Sequence, residues 1–103
     1  MRRVALRTGS LVNLVLGKSP ANNPDSWNTL DYFDAARLAP KLRAPTLVSA
    51  GGQDKTCPDD TIRSTFDRLA GTKSLASYPE LSHTGSISFY ALSWAWMTFY
   101  LRP

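Results

Sequence analysis

Two residues in the second half of the chain, Asp54 and the only histidine, His83, have the types and spacing needed for acid–base chemistry. Asp54 follows an apolar run at residues 44–50 and a Gly-Gly turn, and His83 follows a second short run at residues 74–78. In an open parallel sheet, functional side chains lie on loops that leave the carboxyl ends of the strands. The sequence therefore predicts that the carboxylate and the imidazole converge, as the acid and base of a serine hydrolase triad do.

The segments around these residues predict the elements that must position them. In residues 46–50 apolar and polar side chains do not alternate strictly, which is typical of a strand covered on both faces. A helix is predicted to begin at Pro58, where acids occupy the first turn, and to end at Gly71. Residues 74–78 form the second predicted strand. We expect an α/β fold in which this strand lies parallel to the first, after a right-handed crossover through the helix.

The flanking segments are predicted from turn formers and apolar spacing. Residues 18–28 are rich in Pro, Asn and Ser and predict a loop. Residues 29–42 have apolar positions at helical spacing, with a break at Pro40. Residues 86–101 predict a helix that is apolar on all sides and must be covered over most of its surface. It is shorter than the roughly 20 residues that span a bilayer. This favours a terminal helix packed on a sheet over a membrane segment.

Size, charge and cysteine content limit the classes of protein. With 103 residues the chain forms one domain at most, whereas α/β domains of this kind often have about 200–250, so we expect a fragment. The net charge of +4 comes from the first 24 residues. They belong to a basic, loop-rich segment at 1–28, and an α/β segment follows at 29–103. A targeting segment is one alternative for this start, and a solvated basic stretch is the other. Nucleic-acid binding is not expected, since basic and aromatic residues are not interleaved beyond it. The single cysteine excludes an internal disulfide, and no metal-ligand spacing is found.

Several short motifs together resemble the C-terminal part of the acetyl xylan esterase and cephalosporin C deacetylase family of α/β-hydrolases. They are Tyr32-Phe33-Asp34-Ala35, Ala39-Pro40, Ala44-Pro45, the turn from Gly51 to Pro58, Leu69-Ala70-Gly71, Lys73, Tyr78-Pro79 and His83. The resemblance implies the last two parallel strands of a hydrolase sheet with their crossover helix and C-terminal helix. It also implies that Asp54 is the acid and His83 the base of the triad, and that Cys57 and Pro58 are structural. No cofactor or metal is expected. Thr84 departs from the pattern, because an acidic residue is expected there.

The nucleophile is missing from this pattern, since the sequence contains no Gly-x-Ser-x-Gly. The resemblance therefore implies a part of a serine carboxylesterase that acts on acetylated carbohydrate or similar small esters and is inactive alone. Two other hypotheses stay open: a non-catalytic binding fragment, and a membrane-associated protein that uses the aromatic C-terminal segment. The oligomeric state and the compartment are not predicted.

Overall fold

The described part of the computed structural model, residues 24–103, is a two-stranded parallel sheet with helices before, between and after the strands. In chain order its elements are α1 (Pro24–Tyr32), α2 (Ala35–Leu38), a 3₁₀ turn (Ala39–Lys41), β1 (Thr46–Gly51), α3 (Asp59–Arg68), β2 (Lys73–Tyr78) and α4 (Ile87–Leu101). The predicted α/β class is confirmed. The basic residues at 2–18 and the first part of the predicted loop at 18–28 lie outside the described residues.

The two strands are parallel and in level register, with Thr46 opposite Lys73 and Gly51 opposite Tyr78. Helix α3 forms the crossover between them and contacts β1. Because both strands end at the same level, the loops that follow them leave from one edge of the sheet. This placement brings the loops that carry Asp54 and His83 together.

Helix α3 begins where its sequence predicts and ends earlier. The carbonyl of Pro58 accepts hydrogen bonds from the Thr61 and Ile62 amides at 2.9 and 3.2 Å. The helix ends at Arg68, so the prediction that it continues to a C-terminal cap at Gly71 is wrong. Gly71 has another reason to be glycine: a Cβ there would lie 2.5 Å from the Arg43 carbonyl oxygen. It lets the chain pass close to the segment that leads into β1.

The N-terminal helical region differs from the sequence-based prediction in two ways. Residues 24–28, predicted as loop, are the start of α1, because proline and aspartate suit the first turn of a helix as well as a turn. The helix predicted within residues 29–42, with a break at Pro40, is interrupted earlier, at Asp34, whose backbone is extended. The buried Asp34 side chain accepts the Ala36 amide at 3.0 Å and so begins a new helix, α2.

Helix α4 confirms the predicted terminal helix, and much of its apolar surface is uncovered by the described residues. Ser86 caps its N-terminus by accepting the Phe89 amide at 2.9 Å. The helix contacts β1, yet Trp94 is 72% exposed and Phe99 is 60% exposed. Among residues 24–103 no helix combines the length and apolar character needed to cross a membrane.

Candidate active site

The site is built on a close approach between the turn after β1 and the loop after β2. A Cβ at Gly51 would lie 2.6 Å from the Leu81 carbonyl oxygen and 2.7 Å from that of Ser82. Gly52 meets the backbone of Pro79 in the same way. Real Cβ atoms essentially never come so near to backbone oxygen, so only glycine at both positions lets the two loops touch.

Backbone hydrogen bonds then continue the pairing of β1 and β2 past the ends of the strands. The Gly52 amide donates to the Tyr78 carbonyl at 3.0 Å, and the Gln53 amide donates to the Leu81 carbonyl at 2.9 Å. These bonds fix one loop against the other immediately before Asp54 and two residues before His83. The relative position of the two side chains is therefore determined by main-chain contacts.

The Asp54 carboxylate is anchored by its own loop. Its Oδ1 accepts hydrogen bonds from the amides of Thr56 and Cys57, both at 2.8 Å. Such bonds are the usual reason for aspartate at the start of a turn. The side chain is only 6% exposed, and the anchored Oδ1 leaves Oδ2 to face His83.

The imidazole of His83 meets this carboxylate through Nδ1, which lies 2.9 Å from Asp54 Oδ2. A carboxylate can only accept, so the neutral ring carries its proton on Nδ1 and presents an unprotonated Nε2. The His83 side chain is 59% exposed. The ring is thus oriented on one side by a buried acid and open on the other.

The charge state of this pair follows from its surroundings. Burial raises the pKa of Asp54, but the hydrogen bonds donated by the Cys57 amide, by His83 and by the Thr56 amide outweigh it and hold the pKa below the usual 3.8. Asp54 is therefore an anion at neutral pH. Partial burial and the adjacent Asp54 carboxylate raise the pKa of the Cys57 thiol. That thiol is protonated at neutral pH, unlike an activated nucleophile.

The structure brings together Asp54 and His83, the two residues that the sequence singles out. Sequence reasoning found the Gly-Gly turn but missed that its glycines allow the two loops to touch. It also missed the role of the Cys57 amide, which lies three residues after the acid it anchors. It also missed a cluster: one ligand atom each from Asp54, Cys57 and His83 lies within 4.8 Å of the other two. The Thr84 amide donates to Ser82 at 2.8 Å, a bond internal to the loop that carries the histidine.

This geometry can move a proton. An imidazole oriented by a carboxylate takes a proton from a hydroxyl through Nε2, and the anion stabilises the imidazolium that forms. The contact between His83 Nδ1 and Asp54 Oδ2 thus has the geometry that such a proton transfer requires.

Comparisons with known proteins identify the family and the fold. The family model Acetyl xylan esterase (AXE1) matches residues 15–99. The fold is similar to that of acetyl xylan esterase from Paenibacillus sp. R4, with a TM-score of 0.73 and 27% identity over 87% of this chain and 29% of that one. It is also similar to acetyl xylan esterase 1 from Thermoanaerobacterium sp. JW/SL YS485, with a TM-score of 0.71 and 22% identity over 81% of this chain and 27% of that one. The chain thus spans less than a third of either esterase structure.

Proposed function

Because the chain belongs to the acetyl xylan esterase family, we propose that it supplies the acid and base of a serine esterase that removes acetyl groups from carbohydrate or similar small esters. The observation that carries the proposal is the 2.9 Å contact between His83 Nδ1 and Asp54 Oδ2. We also propose that the 103-residue chain does not hydrolyse ester by itself, since it contains no Gly-x-Ser-x-Gly.

In the proposed reaction His83 works through Nε2. That nitrogen accepts the proton of a serine hydroxyl as the serine oxygen attacks the acetyl carbonyl, and Asp54 stabilises the resulting imidazolium. His83 then gives the proton to the leaving alcohol, and the serine holds the acetyl group. Water next attacks the acetyl-enzyme with His83 as base again, which releases acetate and restores the serine. The serine and the oxyanion hole would come from other parts of a hydrolase domain.

The surface of α4 supports the idea that such parts complete the fold. Ile87, Trp94 and Leu101 are 88, 72 and 76% exposed, although each would stabilise a fold by burial. Covering one large apolar side chain contributes about 2 kcal/mol, so covering several is comparable to a small domain's net stability of roughly 5–15 kcal/mol. We propose that the rest of an α/β-hydrolase domain covers this face.

The same surface favours one alternative, a non-catalytic fragment that binds another protein through α4. The two hypotheses differ in what they require of the site. A binding fragment needs the apolar face and has no need of Asp54 or His83. An esterase component needs all of them together with a serine supplied from elsewhere.

Complementation separates these hypotheses. The full 103-residue chain is co-expressed with the elbow-bearing N-terminal portion of an acetyl xylan esterase, and hydrolysis of p-nitrophenyl acetate is measured on the purified pair. We expect activity from the pair, none above background from the chain alone, and loss of activity in a pair that carries His83→Ala. Asp67→Asn, which changes an exposed carboxylate of α3, is the matched control and should leave the activity unchanged.

Two results would count against the proposal. A stable pair whose hydrolysis does not depend on His83 would favour the binding fragment. Hydrolysis by the isolated chain that His83→Ala abolishes would mean that the chain holds its own nucleophile, and the statement about inactivity would be wrong.

A further inference from the structure

The triad pair shares its place with a third chemical group, the thiol of Cys57. Ligand atoms of Asp54, Cys57 and His83 all lie within 4.8 Å of one another. A carboxylate, a thiolate and an imidazole are the three ligand types that zinc prefers in proteins. With bonds of about 2.0–2.3 Å, two ligands of one tetrahedral zinc ion lie about 3.3–3.6 Å apart. The cluster is therefore close to the size of a zinc site.

From this geometry we infer that Asp54, Cys57 and His83 form a binding site for a thiophilic divalent cation such as Zn²⁺, Cd²⁺ or Co²⁺. The inference does not depend on the proposed esterase function, since it concerns a ligand that none of the catalytic steps uses. Three protein ligands leave a fourth position for water.

The local structure is suited to closing around an ion. Asp54 is a fixed anchor, since its Oδ1 is held by the Thr56 and Cys57 amides, and its Oδ2 can exchange its contact with His83 Nδ1 for an ion. Cys57 and His83 are exposed, so their side chains can move by the remaining distance of about 1 Å. No main-chain rearrangement is needed for such small side-chain movements.

The charge balance also favours the cation. On binding, the Cys57 thiol releases its proton to the buffer and becomes a thiolate ligand. The proton of the neutral His83 ring moves from Nδ1 to Nε2 so that Nδ1 can coordinate, and no electrons are transferred. The dication then meets two anionic ligands and one neutral imidazole, which leaves the site neutral. Because the thiol must lose a proton that Asp54 helps to retain, we expect binding weaker than in a structural zinc site.

Binding would remove His83 from acid–base work. An ion placed between the carboxylate and the ring occupies the region where the Asp54–His83 hydrogen bond lies, and it holds the imidazole as a ligand. In a completed esterase the cation would therefore be an inhibitor that competes with the proton transfer.

A cobalt titration of the reduced, tag-free 103-residue chain tests the inference. Because the chain has one cysteine and one histidine, thiolate-to-cobalt charge-transfer absorption must come from Cys57. We expect this absorption to saturate at one ion per chain and to vanish in Cys57→Ser. His83→Gln and Asp54→Asn should require at least about tenfold more Co²⁺, since losing even an outer-shell partner lowers metal affinity about 10–100-fold. Asp67→Asn should bind as the original chain does.

A second measurement covers variants that fold poorly. Zn²⁺ should slow alkylation of Cys57 by iodoacetamide in the original chain and in Asp67→Asn, and His83→Gln should lose most of this protection. Saturation at half an ion per chain would indicate a site shared by two copies and would overturn the inference. Absorption and protection unaffected by His83→Gln would overturn it too, whatever the result of the ester assay.

Discussion

Replacing Asp54 by asparagine should move the proton of His83 from one ring nitrogen to the other. In the structure Asp54 Oδ1 accepts two backbone amides at 2.8 Å, and Oδ2 faces His83 Nδ1. Those amides should keep the remaining oxygen of the asparagine side chain in the Oδ1 position. The NH₂ group would then point at Nδ1 as a donor. His83 can keep that contact only by carrying its proton on Nε2.

The size of the effect follows from the hydrogen bond that is lost. A hydrogen bond to a charged group contributes about 1.5–3 kcal/mol, and solvent around the 59% exposed ring argues for the lower end. About 1.4 kcal/mol corresponds to a tenfold ratio. We therefore expect the Nδ1–H form to exceed the Nε2–H form by about tenfold in the original chain, and the ratio to reverse in Asp54→Asn.

Long-range ¹⁵N–¹H correlation spectra of the ¹⁵N-labelled chain report this ratio directly. The chain has one histidine, so one pair of ring nitrogens is observed and no assignment is needed. The spectra are recorded at a pH where the ring is neutral, with Asp67→Asn as the control of matched charge. The same tautomer in the original chain and in Asp54→Asn would refute the argument that Asp54 orients the ring.

Three further predictions concern the contacts around the site. Gly51→Ala should destabilise the chain by about 1–3 kcal/mol in urea unfolding, because the added Cβ meets backbone oxygens. Gly85→Ala should destabilise it less, because a Cβ there meets only the Tyr90 side chain, and equal losses of stability would contradict this. The pKa of folded Asp54 lies below 3.8, so its contribution to the free energy of unfolding should be complete above that pH and be lost as the pH falls through the lowered pKa. Asp54→Asn should reduce the dependence of the free energy of unfolding on pH in this acidic range, and an unchanged dependence would contradict the argument. The isolated chain should bind an apolar dye such as ANS through α4, and Trp94→Ser should lower the dye fluorescence. A sharp cooperative melt without dye binding would instead indicate that α4 is stable without another part of a domain packed on it.

The contact between Asp54 and His83 could be predicted because it depends on strand patterns and on sheet topology. A continuous apolar run predicts β1, and the carboxyl ends of parallel strands share an edge, which places Asp54 near His83. Helix α4 could be predicted in the same way, because a segment that is apolar on all sides is uncommon in a globular fold. These features depend on local composition and on a general property of parallel sheets.

Other features depend on tertiary contacts that local sequence does not contain. Gly71 matches a helix cap by position, but the helix ends at Arg68 and the glycine accommodates the Arg43 backbone. Pro24 and Asp25 suit both a turn and a helix start, so composition alone cannot distinguish them. The cluster of Cys57 with His83 depends on where the turn after Asp54 directs the thiol, and the strand pattern does not determine that direction.

The central claim, that Asp54 acts through His83 as one catalytic unit, is tested most directly by a double-mutant cycle on the complemented esterase. Rates of p-nitrophenyl acetate hydrolysis are compared for Asp54→Asn, His83→Gln and the double variant. If the acid works through the base, the double variant should lose no more than His83→Gln alone, because residues that act as a unit have strongly non-additive effects. Losses that multiply, so that Asp54→Asn still slows a protein without His83, would contradict the account.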